Sequence, residues 1–313
     1  MDVIEAINLT KTYRQSMRKK ISVVDQIHLH VKKGEIFGFL GPNGAGKTTT
    51  IKMLLGILYP TSGEAKIFGK NVEDVQTHHL LSYLPEKPYY YEHMTGLGLL
   101  TFYASLFGIS DSEKCKKLLE RVHLQFDSRK PIGQYSKGMQ QRLGFAQCLI
   151  NDPQLLFLDE PTAGLDPVAH SEIRDLILQF RDEGKTVFLS SHELSEVERI
   201  CDRVAIINKG KIQKQGKLNE LLHEHSFELT AENTTLETAQ YFKENTLFFV
   251  SYHKNSLILN LPAQNQVNPV IDLLRSKGAY IVSLIPKRKR LEDLYLETVH
   301  TDAQYKIQET NQS

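Results

Sequence analysis

The sequence predicts an α/β protein with a mixed central sheet, an antiparallel β subdomain and a helical subdomain, followed by a small α+β domain. A glycine-rich loop at 41–49 lies between an apolar run typical of a buried strand and the start of a helical pattern. Two further apolar runs end in polar residues at 155–160 and 186–192, as strands buried on both faces of a parallel sheet do. From about residue 218 the pattern changes to short strands and helices in alternation.

Composition excludes some classes of function. The 313 residues allow one large and one smaller domain, and 38 Lys and Arg balance 37 Asp and Glu, for a net charge of +1. This balance argues against a nucleic-acid binder that acts through a strong overall field. The odd, widely spaced cysteines (Cys115, Cys148 and Cys201) indicate buried thiols in a reducing compartment. Since the chain has no apolar run of about 18 residues and no signal-peptide pattern, we expect it in the cytosol.

The N-terminal residues predict an antiparallel hairpin with one solvated face. A strand pattern covers 3–9, and apolar residues alternate with histidines at 27–31. Tyr13, near the end of the first strand, offers an aromatic face that could stack on a nucleotide base. The alternative, an ordinary amphipathic tyrosine at a strand end, stays open at this point.

The loop that follows the next apolar strand has the pattern of a phosphate cradle, or P-loop. Its closely spaced glycines let the backbone turn tightly and point N–H groups inward, where the dipole of the following helix also favours an anion. Lys47 is placed to reach β- and γ-phosphates, and the Thr48 hydroxyl is placed to bind Mg²⁺. The predicted phosphate-binding residues are Gly41, Pro42, Asn43, Gly44, Ala45, Gly46, Lys47, Thr48 and Thr49.

Residues 81–106 combine a stiff loop with an aromatic cluster. A short strand at 81–84 ends at a Pro-Glu-Lys-Pro sequence containing Glu86, where the two prolines disfavour a helix. Aromatic residues then run from Tyr89 to Tyr103. They fit either a docking surface for a partner helix or packing beneath a loop, and the residues alone favour neither.

A second helix start precedes an apolar strand that ends in two carboxylates. Ser136 is predicted to cap the helix, and Gly138 gives close access to its first turn. The strand at 155–158 delivers Asp159 and Glu160 to its C-terminal end. Next to a phosphate cradle, this arrangement holds Mg²⁺ through one acid and orders an attacking water through the other.

The following helix and strand add two candidate site residues. Asp166 is predicted to cap the helix that starts near Val168. His192 lies just beyond the strand at 186–190. At the C-terminal edge of a parallel sheet, we expect His192 to face a γ-phosphate rather than to serve only as a packed or capping histidine.

The remaining chain predicts an accessory domain of ferredoxin-like βαββαβ type at 218–300. The basic run at 286–290 is interpreted as solvated charge rather than as a lipid or nucleic-acid site, and it precedes a last amphipathic helix at 291–299. Residues 301–313 are predicted to be a polar, frayed tail. The predicted elements are a strand at 227–230, a helix at 235–243, strands at 247–252 and 256–261, a helix at 267–276 and a strand at 280–284.

These ordered stretches resemble the ATP-binding cassette (ABC) ATPase family over roughly the first two-thirds of the chain. The match consists of a Walker A motif at 41–49, a signature at 135–139, a Walker B motif at 155–160, a D-loop at 163–166 and the switch histidine at His192. The order of the motifs is more specific than any one of them. By this resemblance, residues 1–217 form the nucleotide-binding domain, with its helical subdomain at about 86–150.

The resemblance implies a head-to-tail dimer that encloses two ATP molecules between Walker A of one copy and the signature of the other. It assigns Lys47 to phosphate, Glu160 to the attacking water and His192 to sensing the γ-phosphate. The implied Mg²⁺ ligands are Thr48, Asp159 and Glu86. The further implied nucleotide contacts are Tyr13 at adenine, Glu86 in the Q-loop, Ser136 and Gly138 in the signature, and Asp166 in the D-loop.

Two positions depart from the usual family motifs. Glu86 stands where the Q-loop usually has glutamine, which exchanges a neutral amide for a carboxylate that only accepts hydrogen bonds. Lys137, inside the signature, either adds a cation beside phosphate or points to solvent. With the C-terminal extension, these features resemble the ATPase subunits of bacterial exporters for drugs, haem or polysaccharide.

That branch implies separate membrane subunits, which the chain would drive from the inner face of the cell membrane as a homodimer or paired with a similar subunit. The permease would dock near Glu86–Tyr103, and no nucleic-acid partner is expected. The alternative is a soluble ABC ATPase that acts on ribosomes or DNA, but such proteins usually carry two cassettes or a coiled-coil insertion, and this chain shows neither pattern. A P-loop kinase or GTPase would share the cradle but has no use for the signature or His192.

Overall fold

The computed structural model describes residues 1–14, 20–222, 225–246, 248–288, 290–296 and 298. The chain divides into two compact units between Leu218 and Asn219. The predicted tail at 301–313 and the end of the predicted last helix lie outside the described residues. Among the helices that the structure describes, none is both long enough and apolar enough to span a bilayer.

The helices and strands follow one another along both units. The strands are β1 (Asp2–Arg14), β2 (Lys20–Lys32), β3 (Ile36–Leu40), β4 (Ser62–Ile67), β5 (Lys70–Asn71), β6 (Leu81–Leu84), β7 (Leu155–Asp159), β8 (Thr186–Ser191), β9 (Arg203–Asn208), β10 (Lys211–Lys217), β11 (His225–Glu232), β12 (Phe249–His253), β13 (Ser256–Leu261) and β14 (Tyr280–Arg288). The helices are α1 (Lys47–Leu54), α2 (Val75–His78), α3 (Gly96–Leu106), α4 (Ser112–Arg121), α5 (Lys137–Cys148), α6 (Pro167–Asp182), α7 (Leu194–Ile200), α8 (Leu218–Leu221), α9 (Leu236–Asn245) and α10 (Val267–Ser276).

The first unit contains an antiparallel sheet and a mixed sheet. The antiparallel sheet has the order β2-β1-β4-β5 and includes the predicted N-terminal hairpin, β1 with β2. The mixed sheet has the order β10-β9-β3-β8-β7-β6, in which only β10 runs antiparallel to its neighbour among the described strands. This arrangement confirms the predicted fold class.

The central strands of the mixed sheet bring distant parts of the sequence to one edge. Every residue of β3, β7 and β8 is buried, which explains their continuous apolar runs. In the parallel register, Leu40 pairs with Ser191 and Asp159 pairs with Ser190. The loops that follow β3, β7 and β8 therefore begin side by side.

A group of packed phenylalanine rings holds these three strands together. The Phe188 ring on β8 lies 5.7 Å from Phe37 and 5.5 Å from Phe39 on β3, and 5.4 Å from Phe157 on β7, measured between ring centroids. Removing a buried phenylalanine side chain typically costs about 3–5 kcal/mol. The rings thus form a well-packed base for the loops at the strand ends.

Side-chain caps determine where several helices of the first unit begin. Thr95 Oγ1 accepts a hydrogen bond from Gly98 N at the start of α3, and Ser136 Oγ accepts one from Met139 N, as predicted, at the start of α5. The helix α1 begins at Lys47, three residues before the start indicated by its apolar pattern, because the left-handed Gly46 (φ 108°) turns the loop directly into the first helical turn.

The second unit contains an antiparallel sheet packed against two helices. Its strand order is β12-β13-β11-β14, and each of its pairings is antiparallel. The core includes Phe242 of α9 and Leu274 of α10, buried with Leu229, Leu257 and Leu259 from the sheet. The element order and sheet order are those of a ferredoxin-like α+β domain, as the alternation of patterns predicts.

The three cysteines provide a test of this packing. All three are free and buried. Burial raises the pKa of Cys148 to about 12 and raises the pKa of Cys115 and of Cys201 as well. We therefore expect the folded protein to resist alkylation by iodoacetamide at pH 8, since the thiolate is the reactive form. Mass spectrometry should find about three modified cysteines per chain only after unfolding in guanidinium, and full alkylation of the folded protein would contradict the packing.

Candidate functional site

A cavity of about 370 Å³ opens where the loops after β3, β7 and β8 meet. It contains most of the predicted phosphate cradle together with residues from the two neighbouring strand ends. Val23 of β2 and Ala163 also line it, and neither was among the predicted site residues. The lining residues are Val23, Pro42, Asn43, Gly44, Gly46, Lys47, Thr48, Thr49, Glu86, Glu160, Ala163 and His192.

The cradle has the backbone geometry that its glycines predict. Gly44 and Gly46 have φ angles of 78° and 108°, in the region that favours glycine. A Cβ atom on Gly46 would lie 2.6 Å from the carbonyl oxygen of Val23, so a larger residue cannot fit without displacing β2. The loop therefore leads directly into α1, whose positive N-terminal end lies at the cavity.

Lys47 and Glu160 form an ion pair at the cavity wall. Lys47 Nζ lies 3.1 Å from Glu160 Oε1, and the two side chains are only 7% and 9% exposed. The same ammonium donates hydrogen bonds to the carbonyl oxygens of Gly41 at 2.7 Å and Pro42 at 3.4 Å. The buried carboxylate is thus compensated by a cation that the cradle itself holds in place.

His192 contacts the other oxygen of the Glu160 carboxylate. Its Nδ1 lies 2.7 Å from Glu160 Oε2, and its backbone N–H donates to the same oxygen at 3.3 Å. Because a carboxylate accepts hydrogen bonds, Nδ1 must be the protonated nitrogen in this contact. The Glu160 backbone is left-handed (φ 50°), and its N–H donates to the Ser190 carbonyl at 3.1 Å. Side chain and backbone are therefore both held in position.

Asp159, the carboxylate before Glu160, is 2% exposed. Ser190 Oγ donates a hydrogen bond to Asp159 Oδ1 at 2.6 Å, and the Tyr83 hydroxyl lies 3.5 Å from Oδ2. Burial raises the pKa of Tyr83 and the charge of Asp159 raises it further, so this phenol stays protonated. Ser190 and Tyr83 were not predicted as site residues; the available signal was that both are polar residues near the C-terminal ends of strands adjacent to β7.

Six predicted nucleotide contacts are absent from the described lining of the cavity: Gly41 and Ala45 in the cradle, and Tyr13, Ser136, Gly138 and Asp166 outside it. Tyr13 is 44% exposed, with Lys11 Nζ 5.5 Å from the centre of its ring. Ser136 caps α5, and Asp166 caps α6 by accepting from the backbone N–H groups of Val168 and Ala169. Gly138 packs in α5 against Ala169, which a Cβ atom would approach to 2.9 Å. None of these last four residues lines the described cavity of its own chain.

Lys137 has a partner that the sequence did not indicate. Its Nζ donates a hydrogen bond of 2.5 Å to the Ala163 carbonyl oxygen. The neighbouring Gly164 has a φ of 67°, and a Cβ atom there would lie 2.5 Å from the same Nζ. The lysine therefore links the predicted signature to the predicted D-loop of its own chain. The sequence suggested either a phosphate contact or a solvated side chain, and neither interpretation included this contact.

The aromatic residues that follow Glu86, from Tyr89 to Tyr103, divide into a packed part and an exposed part. Tyr90 donates a hydrogen bond from its hydroxyl to the Gln140 carbonyl at 3.0 Å, and burial raises its pKa. Tyr89 is 96% exposed and Tyr91 is 55% exposed. Glu86, which lines the cavity, has a half-exposed carboxylate 4.0 Å from Lys87 Nζ. The packing interpretation thus applies to Tyr90, while Tyr89 and Tyr91 have the exposure that the docking interpretation requires.

The donors and acceptors of the cavity suit a nucleotide phosphate with a bound cation. An ammonium, a helix N-terminus and a glycine-rich backbone favour an anion. The Thr48 hydroxyl and the Glu86 carboxylate at the cavity are oxygen donors, which Mg²⁺ prefers, and the buried Asp159 carboxylate next to Glu160 is a third. Glu160 adds a carboxylate that is positioned from both sides.

The chain matches known proteins over most of its length. A family model described as "ABC transporter" matches residues 24–163. An uncharacterised ABC transporter ATP-binding protein of Synechocystis is 37% identical over 94% of this chain and 84% of its own length. The bacitracin transport ATP-binding protein of Bacillus licheniformis is 35% identical over 95% of this chain and 97% of its own. A fluoroquinolones export ATP-binding protein of Mycobacterium tuberculosis is 38% identical over 77% and 81%, respectively.

Solved structures resemble the first unit in size and fold. The cbiO1 protein of Clostridium perfringens, part of an ABC transporter complex, has a TM-score of 0.64 and 26% identity over 71% of this chain and 91% of its own. A dimeric ATP-binding cassette bound to ADP and Pi has a TM-score of 0.63 and 23% identity, over 69% of this chain and 98% of its own, and supports the fold alone. The chain therefore belongs to the ABC transporter family, among its ATP-binding proteins.

Proposed function

We propose that this chain is the ATP-binding and ATP-hydrolysing subunit of an exporter, and that it drives separate membrane subunits. The observation that carries the proposal is the Glu160 carboxylate, which lies at the cavity between Lys47 and His192. Two relatives of this chain are named for bacitracin transport and fluoroquinolones export.

The cradle binds the triphosphate of ATP. Lys47 and the backbone N–H groups of the loop hold the phosphates, since they combine a fixed cation with the helix N-terminus. Thr48, Asp159 and Glu86 hold Mg²⁺, because their oxygens match a cation that is usually shared between one or two protein carboxylates and phosphate. When bound, Mg²⁺ neutralises charge on the transferred phosphoryl group.

Glu160 orders and polarises the attacking water. Its carboxylate is held at one oxygen by His192 and faces Lys47 at the other. A γ-phosphate would compete for the Lys47 ammonium and would face the exposed part of His192, which is 48% accessible. Nucleotide entry therefore loosens the Lys47 contact at Oε1 and leaves that oxygen free to accept a hydrogen bond from water, while His192 Nδ1 continues to hold Oε2.

A complete site requires a second copy or a similar subunit. Ser136 and Gly138 carry the predicted signature, but they lie at the start of α5 rather than at the cavity of their own chain. A head-to-tail dimer brings the signature of one chain to the ATP bound by the other. In this dimer, Asp166 of each chain lies at the dimer interface. Tyr13 of each chain stacks on the adenine of the ATP bound to that same chain.

The exposed aromatic residues near Glu86 form the surface for the membrane subunit. Tyr89, Tyr91 and Phe102 are 96%, 55% and 43% exposed. Large exposed aromatic side chains of this kind are enriched at protein interfaces. Docking there keeps the chain peripheral on the inner face of the cell membrane and connects the Q-loop position to the permease.

Replacing the proposed catalytic carboxylate tests the enzymatic part of the proposal. We expect Glu160→Gln to lower kcat for ATP hydrolysis by at least about 10²-fold, since the amide cannot polarise water as a carboxylate does. ATP binding should persist, and the variant should elute as a dimer in size-exclusion chromatography with ATP and Mg²⁺.

The control is Glu113→Gln, which removes a 70% exposed carboxylate on α4 that pairs with Lys116. This control should hydrolyse ATP and elute as the unaltered protein does. Hydrolysis by Glu160→Gln at the rate of the unaltered protein would remove Glu160 from its proposed role.

Replacing exposed aromatic residues tests the docking surface. We expect Tyr89→Ser combined with Tyr91→Ser to retain basal ATPase activity but to lose co-purification with an integral membrane protein from detergent extracts. The matched control is Tyr280→Ser, because Tyr280 is 70% exposed but lies in the second unit. Recovery of the unaltered chain with ribosomes and without a membrane protein would instead refute the exporter proposal.

A further inference from the structure

The first turn of α6 packs against the predicted signature. Gly138 of α5 lies so close to Ala169 that a Cβ atom would approach the Ala169 methyl group to 2.9 Å. Asp166 caps the same turn. The residue after Ala169 is His170, whose side chain is 14% exposed and points to a different element, the start of α7.

The His170 ring lies between two carboxylates, that of Glu196 on α7 and that of Glu193, the residue before α7. Its Nε2 lies 2.7 Å from Glu193 Oε2, and its Nδ1 lies 3.4 Å from Glu196 Oε2. Glu196 also pairs with Arg174 and Arg199, which lie 4.0 and 3.9 Å from its Oε1. Of the two His170 contacts, the one between Nε2 and Glu193 is the short hydrogen bond. Because the Glu193 carboxylate accepts hydrogen bonds, Nε2 must donate it.

Glu193 immediately follows His192 in the chain. Its backbone N–H donates to Ser191 Oγ at 2.9 Å, so the turn from Ser191 to Glu193 is fixed locally at one end. The His192 ring bonds to Glu160 on one side of this turn, and the Glu193 carboxylate bonds to His170 on the other. Moving His170 away from Glu193 would remove one of the contacts that hold the turn carrying His192.

We propose that His170 is a positioning residue for ATP hydrolysis. Through its Nε2 contact with Glu193, it holds the His192 turn so that Nδ1 of His192 stays against Glu160. The inference rests on the proposed function of Glu160 and His192 and adds a residue that is not part of the described lining of the cavity. Because His170 lies one residue after Ala169, it also joins the helix that packs on the signature to the turn that orients the catalytic carboxylate.

Two substitutions at the same position separate this role from a general effect on packing. A glutamine places its amide nitrogen near the position of Nε2, whereas an asparagine places it near that of Nδ1. We therefore expect His170→Asn to lower kcat about tenfold with KM for ATP nearly unchanged, and His170→Gln to retain kcat within about twofold of the unaltered protein. Equal kcat values for the two variants would overturn the proposal.

The contact with Glu193 is tested by a double-mutant cycle. Glu193→Ala should lower kcat as His170→Asn does, and combining the two should give little further loss, because both remove the same hydrogen bond. Losses that multiply would mean that the residues act independently and would overturn the proposal. ATP-dependent dimerisation, measured in the Glu160→Gln background, should be unaffected by His170→Asn, and its loss would indicate a broad structural role instead.

A structural ion pair at the opposite end of β8 supplies the control. Lys185 Nζ bonds to Asp152 at 2.5 Å and to the Pro153 carbonyl at 3.0 Å, with the lysine side chain 11% exposed. Lys185→Met should lower the melting temperature but leave kcat per folded molecule unchanged. Failure of the proposed function would show separately, as absence of ATP hydrolysis by the unaltered chain or full hydrolysis by Glu160→Gln.

Discussion

The buried carboxylate of Glu160 is the constraint on which the site depends. A buried charge is costly unless it is paired, and removing one partner of a buried ion pair typically costs about 3–5 kcal/mol. Glu160 has a cation from α1 and an imidazole from the residue after β8. Because β3, β8 and β7 are adjacent and parallel, their C-terminal ends bring those two partners to the carboxylate. The charge arrangement of the site therefore follows from the fold.

The parts of the fold that could be predicted are those encoded by neighbouring residues. Continuous apolar runs predicted β3, β7 and β8, because strands buried on both faces need no alternation. The glycines of the cradle, with Lys47 at their end, predicted the loop and the helix after it. Parallel strands end at one edge, so the sequence also indicated that Glu160 and His192 share a site with Lys47, as the structure shows.

The contacts that escaped prediction join residues far apart in the sequence. Lys137 bonds to Ala163, and His170 bonds to Glu193. Each depends on how two helices pack, and neither a periodic pattern nor a short motif encodes that geometry. Ser190 escaped for a different reason. It reads as the last residue of a buried strand, and only the register of β8 with β7 shows that its hydroxyl meets Asp159.

Several motif residues also have a structural role in their own chain. Ser136 and Asp166 are helix caps, each typically worth about 1 kcal/mol. This is why a capping interpretation and a nucleotide-binding interpretation do not exclude each other at these positions. The cap holds the helix start in one geometry, and a pre-positioned helix start is what an anion from a second copy needs. In the proposed dimer, the capped starts of α5 and α6, packed together at Gly138 and Ala169, would present this geometry to the partner.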